Sequence, residues 1–419
     1  METQNDIRYT KYEIPFDFAQ GGEQFGPELT AEGPVEPRTT NHHSRITTHQ
    51  YLRLLAMVLL LACFAAFTPK AWARYSGGTG DPNDPYRIAT AADLNNIGNY
   101  EEDWDKNFVL VNDINLAQYT GTQFHIIGTW RYEPFFGVFD GNERMIINFT
   151  YTAVGKKEIG IFGYVGVLGR IKNVSMSNVS IDADQAEQVG CLVGLNEGTI
   201  SHCRAAGEIS TTGYHTGGLV GVNRGVVSDC SSAVFLFGDY ASGGLVGTNL
   251  PPHNLISRCY ATGTVSGNYL TGGLVGLNDG GAIENSYATC AVNGSATTGG
   301  LAGGNTYKVS YCYATGKVSG NTGTGGLMGD NMGIVTASFW DTQTSGQTIS
   351  GGGTGKTTAE MKTMSTFTDA GWDFVEIWSI GENQTYPFLR NEPAGDLNHD
   401  KKVDLLDLAI FASHWLEGK

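Results

Sequence analysis

The feature that most constrains this chain is a short glycine-rich phrase that recurs at nearly constant spacing. The phrase is written GCLVGLN, GGLVGVN, GGLVGTN, GGLVGLN, GGLAGGN and GGLMGDN, and its central residues are Leu192, Leu219, Leu245, Leu274, Leu301 and Leu327. Successive leucines are 27, 26, 29, 27 and 26 residues apart. A unit of this size cannot bury its own apolar face, whereas similar units stacked in register can.

Each unit contains short β-rich runs separated by Gly, Asn and Ser, and no helical period persists within it. The sequence therefore predicts an all-β fold, a right-handed parallel β-helix (a β-solenoid) with coils of about 27 residues. Neighbouring coils should lie about 4.8 Å apart, as neighbouring strands do. We expect the β-helix over residues 131–345, with capping elements over 74–130 and 346–392.

Stacking in register predicts rows of identical side chains. Six asparagines occupy the fourth position after the core leucine: Asn196, Asn223, Asn249, Asn278, Asn305 and Asn331. We expect them to form an amide ladder, with each side chain bonding to the next coil. A row of ligand-binding amides is the alternative, although the tolerance of Asn for left-handed turns would explain the row without a ligand.

A second row consists of cysteines. Cys203, Cys230, Cys259 and Cys312 share one position, which Val174 and Ser286 occupy in other coils. A position that accepts Val, Ser or Cys indicates a small buried slot, and inert thiols are the preferred interpretation. Disulfides between coils and a metal site remain alternatives.

The N-terminal region indicates export. Residues 1–50 form an atypical polar extension, which we interpret as the product of a wrongly assigned start codon. Residues 51–73 contain a short apolar run that ends in Ala71-Trp72-Ala73, a pattern typical of a signal peptide cleaved after Ala73. We expect a secreted or cell-surface protein that begins at Arg74 and keeps no stable membrane span. An uncleaved anchor is the alternative.

Composition and spacing argue against two classes of partner. The formal net charge of −16, with charged residues at 16%, disfavours nucleic acid, because phosphate contacts need clustered Lys and Arg. The stretch SGGGTGKTTAEM looks like a phosphate-binding loop, but Ser350 stands where the first glycine of that motif is required. We expect no nucleotide.

The recurring Gly-Gly-Leu-Val-Gly phrase resembles the GLUG-motif family of secreted and surface-attached bacterial proteins, over roughly residues 159–340. In that family, the repeats are flanked by segments similar to two found here, YSGGTGDPNDPYRIATAADLNNIG and GTGKTTAEM. The first reads as a strand, Tyr86-Arg87-Ile88, followed by a helix capped by Thr90 with Asp93 three residues on. In the second, Thr357 is predicted to cap a helix that plugs the final coil.

The C-terminal segment over residues 393–419 carries the sharpest chemical motif. Its oxygen donors have the spacing of a twelve-residue EF-hand-like loop: Asp396, Asn398, Asp400, Asp404 and Asp407, with Lys402 lending its carbonyl. Calcium is a hard cation that takes six to eight oxygens, so we expect Ca²⁺ here and a small α-helical module around it.

This segment resembles one half of a type I dockerin, and the resemblance implies a cohesin-like partner. Two features depart from that pattern. Lys401 replaces the glycine of the sharp turn, at a cost on the order of 1 kcal/mol. Dockerins also carry two such segments, and this chain shows one.

For function, the sequence favours a non-catalytic secreted or cell-surface repeat protein: an adhesin, a stalk or a carbohydrate-binding scaffold. Tyr260, Tyr287 and Tyr313 recur once per coil, and we expect them to be exposed. They could bind polysaccharide by stacking on sugars, although packing on one another is the preferred interpretation. An extracellular polysaccharide-degrading enzyme is the alternative. Asp330 and Asp341 are the nearest acidic pair in the late coils, and no catalytic residue is assigned.

Overall fold

The computed structural model of the chain describes residues 49, 51–53, 55–57, 74–129 and 133–390. Contacts divide the chain into two units, 1–69 and 70–419. The described residues of the first unit are helical. Most of the predicted signal peptide, and all of the predicted calcium module, fall outside the described residues. Within the described part of the chain, no helix is both long and apolar enough to cross a bilayer.

The second unit is a parallel β-solenoid of about nine turns, as the repeat predicts. Three long sheets form its walls. Sheet one contains ten strands: Tyr86–Ile88, Asn107–Leu110, Val138–Asp140, Arg170–Lys172, Thr199–Ser201, Val226–Ser228, Leu255–Ser257, Ala282–Glu284, Lys308–Ser310 and Ile334–Thr336. Sheet three contains seven: Phe162–Val165, Val193–Asn196, Val220–Asn223, Val246–Asn249, Val275–Asn278, Ala302–Asn305 and Met328–Asn331.

Sheet two is the widest wall, because each coil crosses it in a long run or in two successive runs. Its strands are Ile114–Asn115, Met145–Ile147, Thr150–Val154, Lys157–Ile159, Ser175–Asp184, Glu187–Gly190, Arg204–Ser210, Tyr214–Gly217, Ser231–Phe237, Tyr240–Gly243, Tyr260–Gly272, Tyr287–Ala288, Ala291–Gly299, Tyr313–Ala314, Val318–Ser319, Thr322–Gly325, Phe339–Asp341 and Thr354–Lys356. The pairings of sheets one, two and three are all parallel. The right-handed sense of the coils stays a prediction from the usual hand of parallel crossovers.

The interior consists of rows of equivalent apolar residues, and each coil contributes one residue to each row. The six repeat leucines are fully buried and belong to a single apolar cluster. Alternation along each strand adds further rows, for example Val193 from sheet three, Ile200 from sheet one and Ile209 from sheet two. Stacked rows of this kind bury apolar surface continuously, which is the largest favourable contribution to folding.

The glycines of the repeated phrase are required by close backbone approach. A Cβ atom on Gly217 would lie 1.9 Å from the carbonyl oxygen of Val220, and one on Gly218 would lie 2.0 Å from that of Gly244. At Gly221 the Cβ atom would lie 2.5 Å from the carbonyl carbon of Gln188 in the preceding coil. These distances are far below van der Waals contact, so no other residue fits without displacing the neighbouring strand.

A row of left-handed residues turns the chain from sheet one to sheet two in successive coils. The row consists of Asn173, His202, Asp229, Arg258, Asn285, Tyr311 and Ala337, with φ between 46° and 56°. Each of the first six donates its backbone N–H to a carbonyl of the next coil, as His202 does to Ser228. These interstrand bonds stabilise a conformation that Arg, Tyr and Ala rarely adopt alone.

The N-terminal cap has the predicted structure. A strand at Tyr86–Ile88 pairs in parallel with Asn107–Leu110 of sheet one. The helix Ala91–Ile97 follows, and Thr90 and Asp93 form a reciprocal capping box, each side chain accepting the other's backbone N–H. A 3₁₀ turn at Glu101–Asp103 completes the cap.

The C-terminal cap differs from the prediction. A single helix after Thr357 was expected to plug the final coil, but the segment forms a 3₁₀ turn at Glu360–Lys362 and a short helix at Met364–Thr368. Thr357 does exchange hydrogen bonds with Glu360. The segment packs against tyrosines on the outer side of sheet two, because its aromatic residues find an apolar row there.

Two further elements belong to this end of the molecule. A helical turn at Thr342–Ser345 follows the last full coil, and an antiparallel pair joins Trp378–Ser379 to Phe388–Leu389. The stretch that resembles a phosphate-binding loop is part of the sheet, since Thr354–Lys356 pairs in parallel with Phe339–Asp341. Gly355 of this stretch therefore lies within a strand, which the sequence had not predicted.

Candidate binding surface

Sheet two carries five aromatic side chains on its outer face, which we call the aromatic strip: Tyr214, Phe235, Phe237, Tyr240 and Tyr269. They come from three successive coils. The exposed fractions of Phe235 and Phe237 are 68% and 56%, and those of Tyr214 and Tyr269 are 50% and 45%. Side chains this apolar normally lie inside, so a group of them on one outer face needs an explanation.

Strand alternation places the two phenylalanines outside. In Ser231–Phe237, Val234 and Leu236 point into the core, so Phe235 and Phe237 must point away from it. The strand is bonded on both sides, to Arg204–Ser210 and to Tyr260–Gly272. The two rings therefore project from a backbone fixed by two neighbouring coils.

The three tyrosines of the strip form a row along the solenoid axis. Tyr214 pairs in register with Tyr240, and Tyr240 with Tyr269. Their ring centroids are 5.7 Å and 5.4 Å apart, with the first pair edge to face and the second stacked. Burial raises the pKa of Tyr240, and the neighbouring Tyr269 contributes to the increase. Tyr240 thus stays neutral at ordinary pH.

The residues that flank the two phenylalanines on the neighbouring coils are polar and carry no positive charge. Glu208 and Thr264 flank Phe235 in register, and Ser210 and Ser266 flank Phe237 in the same way. In the turn between Phe237 and Tyr240, Asp239 accepts a hydrogen bond from the side-chain amide of Asn268. Nδ1 of His215, which lies beside Tyr240, forms a hydrogen bond with the hydroxyl group of Thr248. Burial lowers the pKa of His215. The rim therefore offers hydroxyl, amide and carboxylate groups.

Sequence reasoning missed this strip and named another tyrosine row instead. Tyr260, Tyr287 and Tyr313 stack with centroids 5.0 Å and 4.9 Å apart and planes within 7°. They are almost fully buried, because Trp372 and Trp378 of the C-terminal cap cover them. The preferred interpretation, packing of the rings on one another, is confirmed, whereas the expected exposure of this row is wrong. The signal that would have found the strip is the run AVFLF, whose alternation must expose either two aliphatic or two aromatic side chains.

The predicted amide ladder is confirmed. Each Nδ2 atom donates to the Oδ1 atom of the next asparagine, at 2.7–2.8 Å over five successive pairs. The side chains also bond to turn backbone, as Asn223 does to the N–H and carbonyl of Gly225. Left-handed geometry is not the reason for Asn here, since these residues lie in extended strands and the left-handed positions lie elsewhere.

The cysteine row is a structural slot, as expected. The six described cysteines are free and buried. The thiol of Cys230 donates to the carbonyl of Ser228, and its sulfur accepts the N–H of Cys203 at 3.4 Å. Ser286 makes the same two contacts in its own coil. Burial raises the pKa of Cys312 to about 12, so the thiol is inert.

The acidic pair named from the sequence does not form a site. Asp330 lies exposed on sheet three, whereas Asp341 is buried at the end of sheet two and binds the C-terminal cap. Over residues 74–129 and 133–390, no cluster of three or more His, Cys, Asp or Glu could hold a metal ion. The predicted calcium ligands lie outside the described residues: Asp396, Asn398, Asp400, Lys402, Asp404 and Asp407.

Comparison with known proteins agrees with the repeat and the fold. A segment of this chain is 33% identical over 138 residues to halomucin of Haloquadratum walsbyi, and another match is 35% identical over 132 residues to a protein of Evansella cellulosilytica described as a Gly-rich membrane protein. These segments cover 32% and 30% of this chain but span 2% and 15% of the relatives.

A crystal structure of a candidate immunoglobulin A1 protease from Bacteroides ovatus has a similar fold, with a TM-score of 0.52 over 76% of this chain and 95% of that one. At 21% identity, the likeness concerns the fold alone. The sequence profile of the GLUG motif matches residues 267–293 and 294–319, a narrower range than the resemblance suggested. The chain therefore carries GLUG motifs within a parallel β-solenoid.

Proposed function

We propose that this chain is a non-catalytic repeat protein, secreted or held at the cell surface, whose solenoid acts as a rigid scaffold. The amide ladder is the observation that carries the proposal, because it bonds six successive coils from Asn196 to Asn331 without a break. A rod with continuous hydrogen-bonded rows resists bending and presents its side walls at fixed spacing. An adhesin or stalk needs such a body.

The relatives support this proposal through their names and their proportions. Halomucin and the Gly-rich membrane protein match this chain over a small share of their own lengths. The shared part is therefore a repeat segment used within larger proteins. A surface or secreted location also agrees with the signal peptide predicted to end at Ala73.

We further propose that the C-terminal segment binds Ca²⁺ through Asp396, Asn398, Asp400, Asp404 and Asp407, with the carbonyl of Lys402. Hard oxygen ligands at this spacing suit calcium. Binding would provide an attachment module for a cohesin-like domain. Isothermal titration of the full-length chain with CaCl₂ should show one site. The pair Asp396→Ala/Asp400→Ala should abolish it, whereas Asp369→Ala, at an exposed position in the described cap, should not.

The scaffold proposal is tested with the purified full-length chain. Incubation with neutral and acidic polysaccharides, with and without calcium, should release no reducing ends or unsaturated sugars. Product release would overturn the proposal in favour of a polysaccharide-degrading enzyme.

A further inference from the structure

We propose that the aromatic strip binds a neutral polysaccharide chain that lies along the solenoid axis. This inference deepens the proposed scaffold function by naming the ligand class of one wall, and it rests on that function. Three coils contribute, through Tyr214, Phe235 with Phe237 and Tyr240, and Tyr269. The tyrosine row of the strip thus runs in the direction in which the coils repeat.

The strip is pre-organised for binding. Phe235 and Phe237 lie on a strand whose seven residues pair on both sides. The tyrosine rings contact one another, which limits their rotation. Because little conformational entropy remains to be lost, a ligand that covers these rings keeps most of its contact free energy.

Sugar rings match the chemistry of the strip and of its rim. A pyranose presents C–H groups on its faces and hydroxyl groups along its edges. The aromatic faces provide flat apolar area against which the C–H groups of a pyranose can pack. The tyrosine row repeats once per coil, as sugar rings repeat along a polymer. Glu208, Asp239 and the hydroxyls of Ser210, Thr264 and Ser266 can accept or donate hydrogen bonds at the edges.

Charge selects a neutral polymer. The strip belongs to three rows of residues that pair in register across three coils, and none of these residues is basic. The rows are Glu208–Phe235–Thr264, Ser210–Phe237–Ser266 and Tyr214–Tyr240–Tyr269. The preceding coil adds Asp182 in register with Ser210. The chain as a whole carries −16. Uronic-acid or sulfated polymers, and nucleic acids, would be repelled from this wall.

The test is affinity gel electrophoresis of the full-length chain in gels that contain glucomannan, xyloglucan or, as the anionic polymer, alginate. Glucomannan or xyloglucan should retard the chain, and alginate should not. The variant Phe235→Ala/Phe237→Ala should lower the affinity about tenfold or more, since it removes two of the five aromatic side chains of the strip. Tyr214→Ala provides a second variant at an exposed position with no core contact.

The matched control is Tyr307→Ala, because Tyr307 is 55% exposed but lies outside the strip. It should bind as the unaltered chain does, and circular dichroism should confirm that every variant is folded. Retardation by alginate alone, by no polymer, or equally in the strip variants and in Tyr307→Ala would overturn the inference. So would a dimer that the strip variants dissociate, since the strip would then be an interface between copies.

Failure of this inference is distinguishable from failure of the scaffold function. A chain that binds no neutral polymer and releases no products would leave the scaffold intact and remove its ligand. A chain that is retarded and also releases reducing ends would overturn the scaffold proposal while the strip remained a polysaccharide site.

Discussion

The hydroxyl group of Tyr386 donates a 2.7 Å hydrogen bond to Oδ2 of Asp341, and so joins the C-terminal cap to the last turn of the solenoid. The same oxygen accepts from the hydroxyl of Thr358 at 2.7 Å. Oδ1 accepts the backbone N–H groups of Gln343 and Thr344 and thereby caps a helical turn. One buried carboxylate thus binds three separate segments.

Acid should detach the cap at this carboxylate. Burial alone would raise the pKa of Asp341, but the four donors outweigh it and hold the pKa below its ordinary value of 3.8. A lowered pKa contributes stability that is present above the unfolded value and is lost as pH falls through the folded value. Fluorescence of the buried Trp372 and Trp378 should therefore change below about pH 4.

The variant Asp341→Asn should lose this acid-dependent step and destabilise the cap by about 2 kcal/mol at neutral pH, because charge-assisted hydrogen bonds are replaced by neutral ones. Asp330→Asn is the matched control, since its carboxylate is exposed on sheet three. The same acid transition in Asp341→Asn as in the unaltered chain would show that another group controls it.

Interrupting the amide ladder should weaken the solenoid locally. Asn249→Ala leaves the Nδ2 atom of Asn223 and the Oδ1 atom of Asn278 without their ladder partners, at a cost of about 2–3 kcal/mol. Because repeat proteins unfold in parts, the effect should be read by hydrogen exchange at Val246 and Val275 as well as by chemical denaturation.

The control for the ladder is Asn331→Ala. Asn331 is half-buried at the end of the row, so only Asn305 loses a ladder partner and the loss should be about half as large. Equal effects of the two substitutions would show that position within the ladder does not matter.

The cysteine slot should accept serine and reject alanine. Cys230→Ser keeps a donor and an acceptor, as Ser286 does in its coil, so the free energy of unfolding should change by less than about 1 kcal/mol. Cys230→Ala leaves the N–H of Cys203 without its sulfur acceptor and should cost about 1–2 kcal/mol. Thermal denaturation under reducing conditions measures both.

Burial also protects these thiols, since it raises the pKa of Cys230 and Cys259 well above the ordinary value of 9.0. A disulfide-exchange reagent should therefore react with the described cysteines only at the rate of unfolding. Fast reaction at neutral pH would contradict a purely structural slot.

Removing the middle ring of the buried stack should loosen the C-terminal cap. Tyr287 lies between Tyr260 and Tyr313 and contacts Trp378 at a centroid distance of 6.1 Å. Tyr287→Ala should cost about 3 kcal/mol through the cavity it leaves, and should make Trp378 accessible to acrylamide quenching. Tyr269→Ala, in the exposed row, should cost less than about 1 kcal/mol. Comparable losses of stability in the two variants would show that the burial of Tyr287 does not make it more important than Tyr269.

The sequence by itself determined the parallel solenoid, the core leucines, the amide ladder and the N-terminal capping box. Each follows from local rules or from stacking in register: when similar units repeat, equivalent residues meet, and Asn196 must find Asn223. The same argument gave the cysteine slot, because Ser286 and Val174 show which side chains it accepts.

Only the tertiary structure decided which tyrosine row is covered and where the cap lies. Tyr260, Tyr287 and Tyr313 recur once per coil, and so do Tyr214, Tyr240 and Tyr269, so the repeat cannot tell them apart. The distinction depends on Trp372 and Trp378, more than fifty residues later in the chain, which pack on the first row and leave the second exposed. Periodicity fixes what each coil repeats, whereas burial of an outer face depends on a non-repeating segment whose contacts are long-range.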